Sequence, residues 1–169
     1  PLDKLAPRID GVEATRLVLV DGFWAADLSD AAPQGVSLSS LADVLAKGEM
    51  SLIEALSAPG LGQSDAALAL NTAFMQGGLV MDVAAGVQVA KPIEIVALSS
   101  GTQPQAIYAR SLLRVGKGAQ ITLIERDAAE SAAHEQRNNA LVVVVADEAK
   151  VEHVFVPARL SSAATHVAS

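Results

Sequence analysis

Three histidines, nineteen acidic side chains and no cysteine bound the chemistry open to this chain of 169 residues. Without cysteine it has no disulfide, no thiol nucleophile and no thiolate of its own for zinc or an iron–sulfur cluster. That composition fits a reducing, cytoplasmic compartment. His134 and Glu135 adjoin within Asp127–Arg137, a stretch without Val, Ile or Leu. Imidazole and carboxylate suit iron or zinc, but the stretch reads as a solvated loop. Glu152-His153 lies in an apolar, strand-like run, where a buried histidine needs a hydrogen-bond partner and stays neutral. His166 has no neighbour that suggests a role. Glu94, Glu125 and Asp127 could serve glycoside hydrolysis only by converging on one exposed face. They fall in different strand units and no aromatic platform for sugar lies beside them. Gly116-Lys117-Gly118 lacks Walker A spacing and a following helix, so it reads as a turn. A Gly-x-Ser-x-Gly elbow is also absent. No catalytic, cofactor-binding or metal-binding residue is assigned.

The elements carrying these residues follow from composition and spacing. Hydrophobic residues make up 51% of the chain and aromatic ones 3%, so the core must be Val, Leu, Ile and Ala. Such a core suits regular stacks of strands. A net charge of −7 argues against a nucleic-acid backbone or an anionic membrane as partner. The longest apolar run, Ala140 to Ala146, is strand length and far below the roughly 18 residues of a membrane span. The opening Pro1-Leu2-Asp3 and the strand-like end at Thr165–Ser169 are what a fragment would show.

Residues 1–76 read as a mixed α/β lead-in. Arg16–Val20 and Phe23–Ala25 flank Asp21-Gly22, a type I′ hairpin signal. Leu38, Leu41, Val44 and Leu45 have helical spacing, with Ser39 or Ser40 as N-cap and Gly48 as stop. Ser51–Leu56 predicts a further turn or two. A helix is expected over Asp65–Met75, capped by Ser64, with Leu68, Ala69, Thr72 and Met75 on one stripe.

Residues 77–169 carry a repeat. Val83–Val89, Val115–Ile121 and Val145–Val151 align without gaps, at offsets of 32 and 30 residues. Each ends an apolar strand, crosses a four-residue turn and resumes with a polar and then a β-branched residue. Units of this kind bury their apolar faces by stacking, which predicts a parallel β-helix whose three valines occupy equivalent corners. A β-sandwich would favour hairpin turns every 8–12 residues, and a left-handed hexapeptide helix needs a six-residue apolar period. Neither fits.

Several segments together resemble the SufB/SufD family. They are Leu17-Val18-Leu19-Val20-Asp21-Gly22-Phe23 with Leu28-Ser29, Leu70-Asn71-Thr72-Ala73-Phe74 before Gly78-Leu79, and Val83–Val87 with Lys91-Pro92-Ile93-Glu94-Ile95. Arg110, Gly118–Glu125, Asn139 and Ala149–His153 continue the likeness, which is greater to SufD than to SufB. The resemblance implies a right-handed parallel β-helix in a non-enzymatic scaffold subunit of iron–sulfur cluster assembly. It implies SufB-like and SufC-like (ATPase) partners, and a cluster only in the full complex. The family's N-terminal helical region and C-terminal part have no counterpart in this sequence. The alternatives are a β-helix carbohydrate-active enzyme and a purely structural solenoid. Leu141-Val142-Val143-Val144-Val145 is apolar on both faces, so self-association as a homodimer is expected as well.

Overall fold

The computed structural model describes residues 6–56, 65–101, 104–128, 135–156 and 164–168. Its elements are strands β1 (Thr15–Val20), β2 (Phe23–Trp24) and β3 (Val36–Ser40), then helices α1 (Leu41–Lys47), α2 (Met50–Leu56) and α3 (Ala66–Phe74). Strands β4 (Leu79–Val83), β5 (Ile93–Leu98), β6 (Gln105–Val115), β7 (Gln120–Asp127), β8 (Glu135–Val145), β9 (Lys150–Val156) and β10 (Ala164–Ala168) follow. They form two five-stranded sheets, ordered β2-β1-β5-β7-β9 and β10-β8-β6-β4-β3. All pairings are parallel except the outermost β1–β2 and β3–β4.

The register expected for the repeat is present. Val83 pairs with Val115, and Val115 with Val145, all in parallel. The turns between them stack through their backbones. Gly86 N–H donates to the Lys117 carbonyl at 2.8 Å, and Gly118 N–H to the Asp147 carbonyl at 3.0 Å. Residue 77 marks a change from helices to strands but not a break in the sheets. Strand β1 lies against β5 over six pairs, from Thr15↔Ile93 to Val20↔Leu98, because both runs are apolar on two faces.

Strand alternation divides the apolar residues between three layers. Leu17, Leu19, Ile93, Ile95, Ile121 and Leu123 of the first sheet face Leu79, Met81, Leu113 and Val115 of the second, forming the main core. On the far side of the second sheet, Val80, Leu112 and Val142 pack against Leu41, Val44 and Leu56 of α1 and α2. On the far side of the first, Val18, Val96 and Leu98 are covered by the chain around Ala6.

The local signals came out unevenly. Asp21 and Gly22 take φ of 50° and 84°, as the hairpin requires. Ser40 caps α1 by accepting from Asp43 N–H at 3.0 Å, and Gly48 ends it in the left-handed region. Leu38, expected in this helix, lies in β3 and packs on the main core instead. Its alternation with Val36 suits a strand pairing with β4 equally well. Helix α3 is capped by Asp65, whose carboxylate accepts from Ala67 and Leu68 N–H; Ser64 lies outside the described residues. The expected stripe is not what α3 buries. Ala69 and Thr72 are exposed, and its fully buried residue is Asn71. Gly78 is fixed by close approach, since a Cβ there would sit 1.7 Å from the Arg110 carbonyl oxygen.

One turn departs from its sisters. Gly86 and Gly118 have φ of 73° and 67°, and the equivalent position in the third turn is Glu148 at 61°. An L-residue is strained there, whereas glycine is not. Glu148→Gly is expected to raise the stability by about 0.5–1 kcal/mol, and Gly118→Ala to lower it comparably. Urea midpoints of the two variants measure both effects.

Candidate functional site

The polar groups held inside this aliphatic framework form three clusters. The first joins α3 to the second sheet. Asn71 Nδ2 donates to the Ala109 carbonyl at 2.9 Å and to the Asn138 carbonyl at 2.8 Å. Arg110 Nε donates to Asn71 Oδ1 at 3.0 Å, and its Nη2 to Thr72 Oγ1 at 2.7 Å. Arg110 also reaches the carbonyls of Leu56 and Leu68, while Asn138 Nδ2 donates to the Ala67 carbonyl. Helix α3 thus rests on the sheet through amides and a guanidinium where an apolar stripe would ordinarily serve. Burial draws the Arg110 guanidinium below its usual value.

The second cluster lies on the outer face of the first sheet. Arg16, 1% exposed, donates from Nε to Glu94 Oε2 at 2.9 Å. Arg126 Nε donates to the other oxygen of Glu94, also at 2.9 Å. Arg16 Nη1 donates to the Ala6 carbonyl at 2.9 Å and Arg126 Nη2 to the Pro7 carbonyl at 2.8 Å. One carboxylate between two cations, with backbone acceptors beyond, satisfies charges that burial would otherwise make costly.

The third cluster sits where β7 ends and β8 begins. Arg137 bonds Glu135 through Nε and approaches Asp127 Oδ1 at 3.4 Å and the Ala97 carbonyl at 3.2 Å. Asp21 accepts from the Ser100 N–H at 2.9 Å, from the Ser100 hydroxyl, and from Gln105. Burial pushes the Glu135 carboxyl up, but hydrogen bonds from Ser99 and Arg137 and the charge of Arg137 leave it lowered. Asp21 follows the same pattern, with Ser100, Gln105 and Arg137 outweighing burial.

This corrects the reading of Asp127–Arg137 as a solvated loop at its two ends only, since residues 129–134 lie outside the described residues. Asp127, Glu135 and Arg137 are strand residues, 7%, 5% and 8% exposed, and their charges are buried because they neutralise one another. His134 lies outside the described residues. His166 is in β10, at the register position beside Arg137.

Between the two sheets lies a cavity of about 360 Å³, lined among others by Ser111, Glu125, Asp127, Asn139, His153 and Phe155. His153 pairs in register with Leu123, the alignment expected from the repeat, and its Nε2 is 2.7 Å from Glu125 Oε2. His153 is exposed, not buried as its apolar run suggested, and its partner is an acid one strand away. The three carboxylates do not converge as a hydrolytic pair would. Glu94 is on the opposite face of the sheet between its arginines, Asp127 faces Arg137, and Glu125 holds His153. Gly116-Lys117-Gly118 is a turn between β6 and β7. Among the described residues no group of three or more His, Asp or Glu is arranged to hold a metal ion.

These features define a framework of stacked parallel strands whose buried charges hold its parts together. Residues 6–95 match the family model described as the SufBD protein N-terminal region. The chain belongs to the SufB/SufD family, which places it in SUF iron–sulfur cluster assembly. No curated protein matches the chain.

Sequence reasoning passed over Asn71 and Arg110 as functional parts, although both are polar residues within apolar runs. Replacing Asn71 by Ala leaves Arg110 Nε and two strand carbonyls without their partner. The expected cost is about 2–4 kcal/mol of unfolding free energy, read by chemical denaturation.

The lowered carboxyls also set a pH dependence. Each stabilises the fold while ionised; the contribution is present above the ordinary values of 3.8 for Asp21 and 4.5 for Glu135. It is lost as pH falls through the lowered values. The urea midpoint should therefore drop steeply on acidification below the ordinary carboxylate range. Glu135→Gln should lower the midpoint at neutral pH and make its fall on acidification shallower.

Proposed function

We propose that this chain is a non-catalytic scaffold component of the SUF system, resembling SufD more than SufB. Its two sheets are read as faces of a right-handed parallel β-helix, and it works in the cytoplasm with SufB-like and SufC-like proteins. The family match over residues 6–95 carries the reading. The stacked turns and in-register valines support the β-helix, since each turn passes the chain from one sheet to the other at the same corner. The scaffold role is supported by where the charged groups are spent. Arginines and carboxylates pair with each other and with backbone carbonyls, so their interactions serve architecture. ATP chemistry belongs to the SufC-like partner and cluster ligation to the assembled complex, because this chain supplies neither a phosphate loop nor a thiolate.

Co-purification with tagged SufB-like and SufC-like proteins tests the proposal. A stable ternary complex with ATPase activity residing in the SufC-like subunit is the expected outcome. Failure to bind either protein, or ATP turnover by this chain alone, would contradict it.

A further inference from the structure

The sequence holds two Asp-Gly pairs, Asp10-Gly11 and Asp21-Gly22, each preceded by a β-branched aliphatic residue. In this dipeptide the side-chain carboxyl closes readily on the following amide nitrogen, because glycine puts no Cβ in the way. The fold treats the two pairs differently. Asp10 and Gly11 are the central residues of an exposed turn, closed by Val12 N–H donating to the Ile9 carbonyl at 3.1 Å. Gly11 has the positive φ, 75°, that the third position of a type II turn requires. Among the described residues no hydrogen bond or ion pair holds the Asp10 carboxylate, and nothing lies within 4 Å of where a Gly11 Cβ would sit.

Asp21 is fastened at both oxygens. Its Oδ1 accepts from Ser100 N–H at 2.9 Å and from Gln105 Nε2 at 3.3 Å, and its Oδ2 accepts from the Ser100 hydroxyl. Gly22 is buried, and a Cβ there would come within 3.2 Å of Ala109 and Ile107.

We propose that Asp10-Gly11 is a site of spontaneous isomerisation to isoaspartate, while hydrogen bonding and packing hold Asp21-Gly22 in check. The Gly11 nitrogen attacks Cγ of the protonated Asp10 carboxyl. A Cγ–N bond forms, and the carboxyl hydroxyl leaves as water together with the amide proton. Water then adds to either carbonyl of the succinimide. Breaking the Cγ–N bond restores aspartate. Breaking the bond from nitrogen to the main-chain carbonyl carbon instead leaves the chain running through Cγ, with a free α-carboxylate. Closure requires the carboxyl to turn onto the following nitrogen. At Asp10 that rotation meets open space, whereas at Asp21 it breaks three hydrogen bonds within a packed turn. The product bears on the fold, because it adds a methylene to the backbone between the anchored Ala6 and Pro7 carbonyls and strand β1.

Peptide mapping of the 169-residue chain after prolonged incubation at mildly acidic pH, folded and in urea, tests this. Isoaspartate is located by mass spectrometry and counted by methyl transfer from S-adenosylmethionine with an isoaspartyl methyltransferase. In the folded chain it should accumulate roughly ten-fold faster at Asp10 than at Asp21, the ratio that losing one hydrogen bond to a charged group supplies. In urea the two rates should become alike, because the flanking residues are alike. Ser100→Ala combined with Gln105→Ala, shown folded by circular dichroism, should speed the reaction at Asp21 and leave Asp10 unchanged. Equal rates in the folded chain overturn the proposal, as does a difference that persists undiminished in urea. A folded double variant whose Asp21 reacts no faster than in the wild type overturns it as well. If the double variant does not fold, the folded and urea-unfolded wild type decide alone.

Discussion

Parallel strands stacked in register place like positions side by side on the same face of the sheet. Here position 83 lies beside 115 and 115 beside 145, with no freedom to slide, because a one-residue slip would turn every side chain to the opposite face. An aliphatic residue in such a column meets another aliphatic residue and the core continues. A charged residue instead needs a counter-group in a neighbouring strand or in something laid over the sheet. Glu94 meets Arg16 directly across the β1–β5 register, and Arg126 two residues farther along β7 bends back to it. The carbonyls of Ala6 and Pro7 each accept from one of these arginines, so the opening segment is tied down by the charges that the register created.

The same constraint explains why the helices sit where they do. Arg110 and Asn138 face away from the main core, beside one another's strands, on the side covered by α1–α3. A purely apolar helix could not satisfy them. Helix α3 supplies Asn71 as both donor and acceptor, together with the Thr72 hydroxyl and the carbonyls of Ala67 and Leu68. Its outer positions, Leu70 and Phe74, are left in water at 38% and 56% exposure. The price of using polar contacts is geometric exactness at Gly78, where the chain passes so close to Arg110 that no side chain fits.

Much of the strand stack was legible because its signals are short-range or periodic. The Asp21-Gly22 turn, the Ser40 cap and the Gly48 stop are local, and the three aligned turns repeat. The polar clusters were not legible, because each joins residues far apart in sequence. Arg16 and Glu94 are 78 residues apart, and Asn71 and Asn138 are 67. Once β1 is aligned with β5, however, Arg16 falls opposite Glu94, and a lone charge in each apolar run was the available clue. The two ends of the Asp127–Arg137 stretch misled for a related reason. They lack aliphatic residues, yet Glu135 and Arg137 extend the apolar strand β8 and take their burial from mutual neutralisation. Helix α3 was placed correctly and faced wrongly, since an apolar stripe is only one way to fasten a helix to a sheet.

A stack built this way has no intrinsic length. Every parallel strand offers the next the same row of donors and acceptors that it received, and only a change of direction or composition stops the series. Strands β2 and β3 provide that change at one end by running antiparallel. Along β8 the opposite holds: the residues beyond β10 keep both the extended backbone and the uninterrupted valines of an interior strand. The side chains there continue the columns that Leu112, Leu113 and Val115 occupy one strand earlier, so the same alternation that feeds the main core and the helix-covered face runs on into β8.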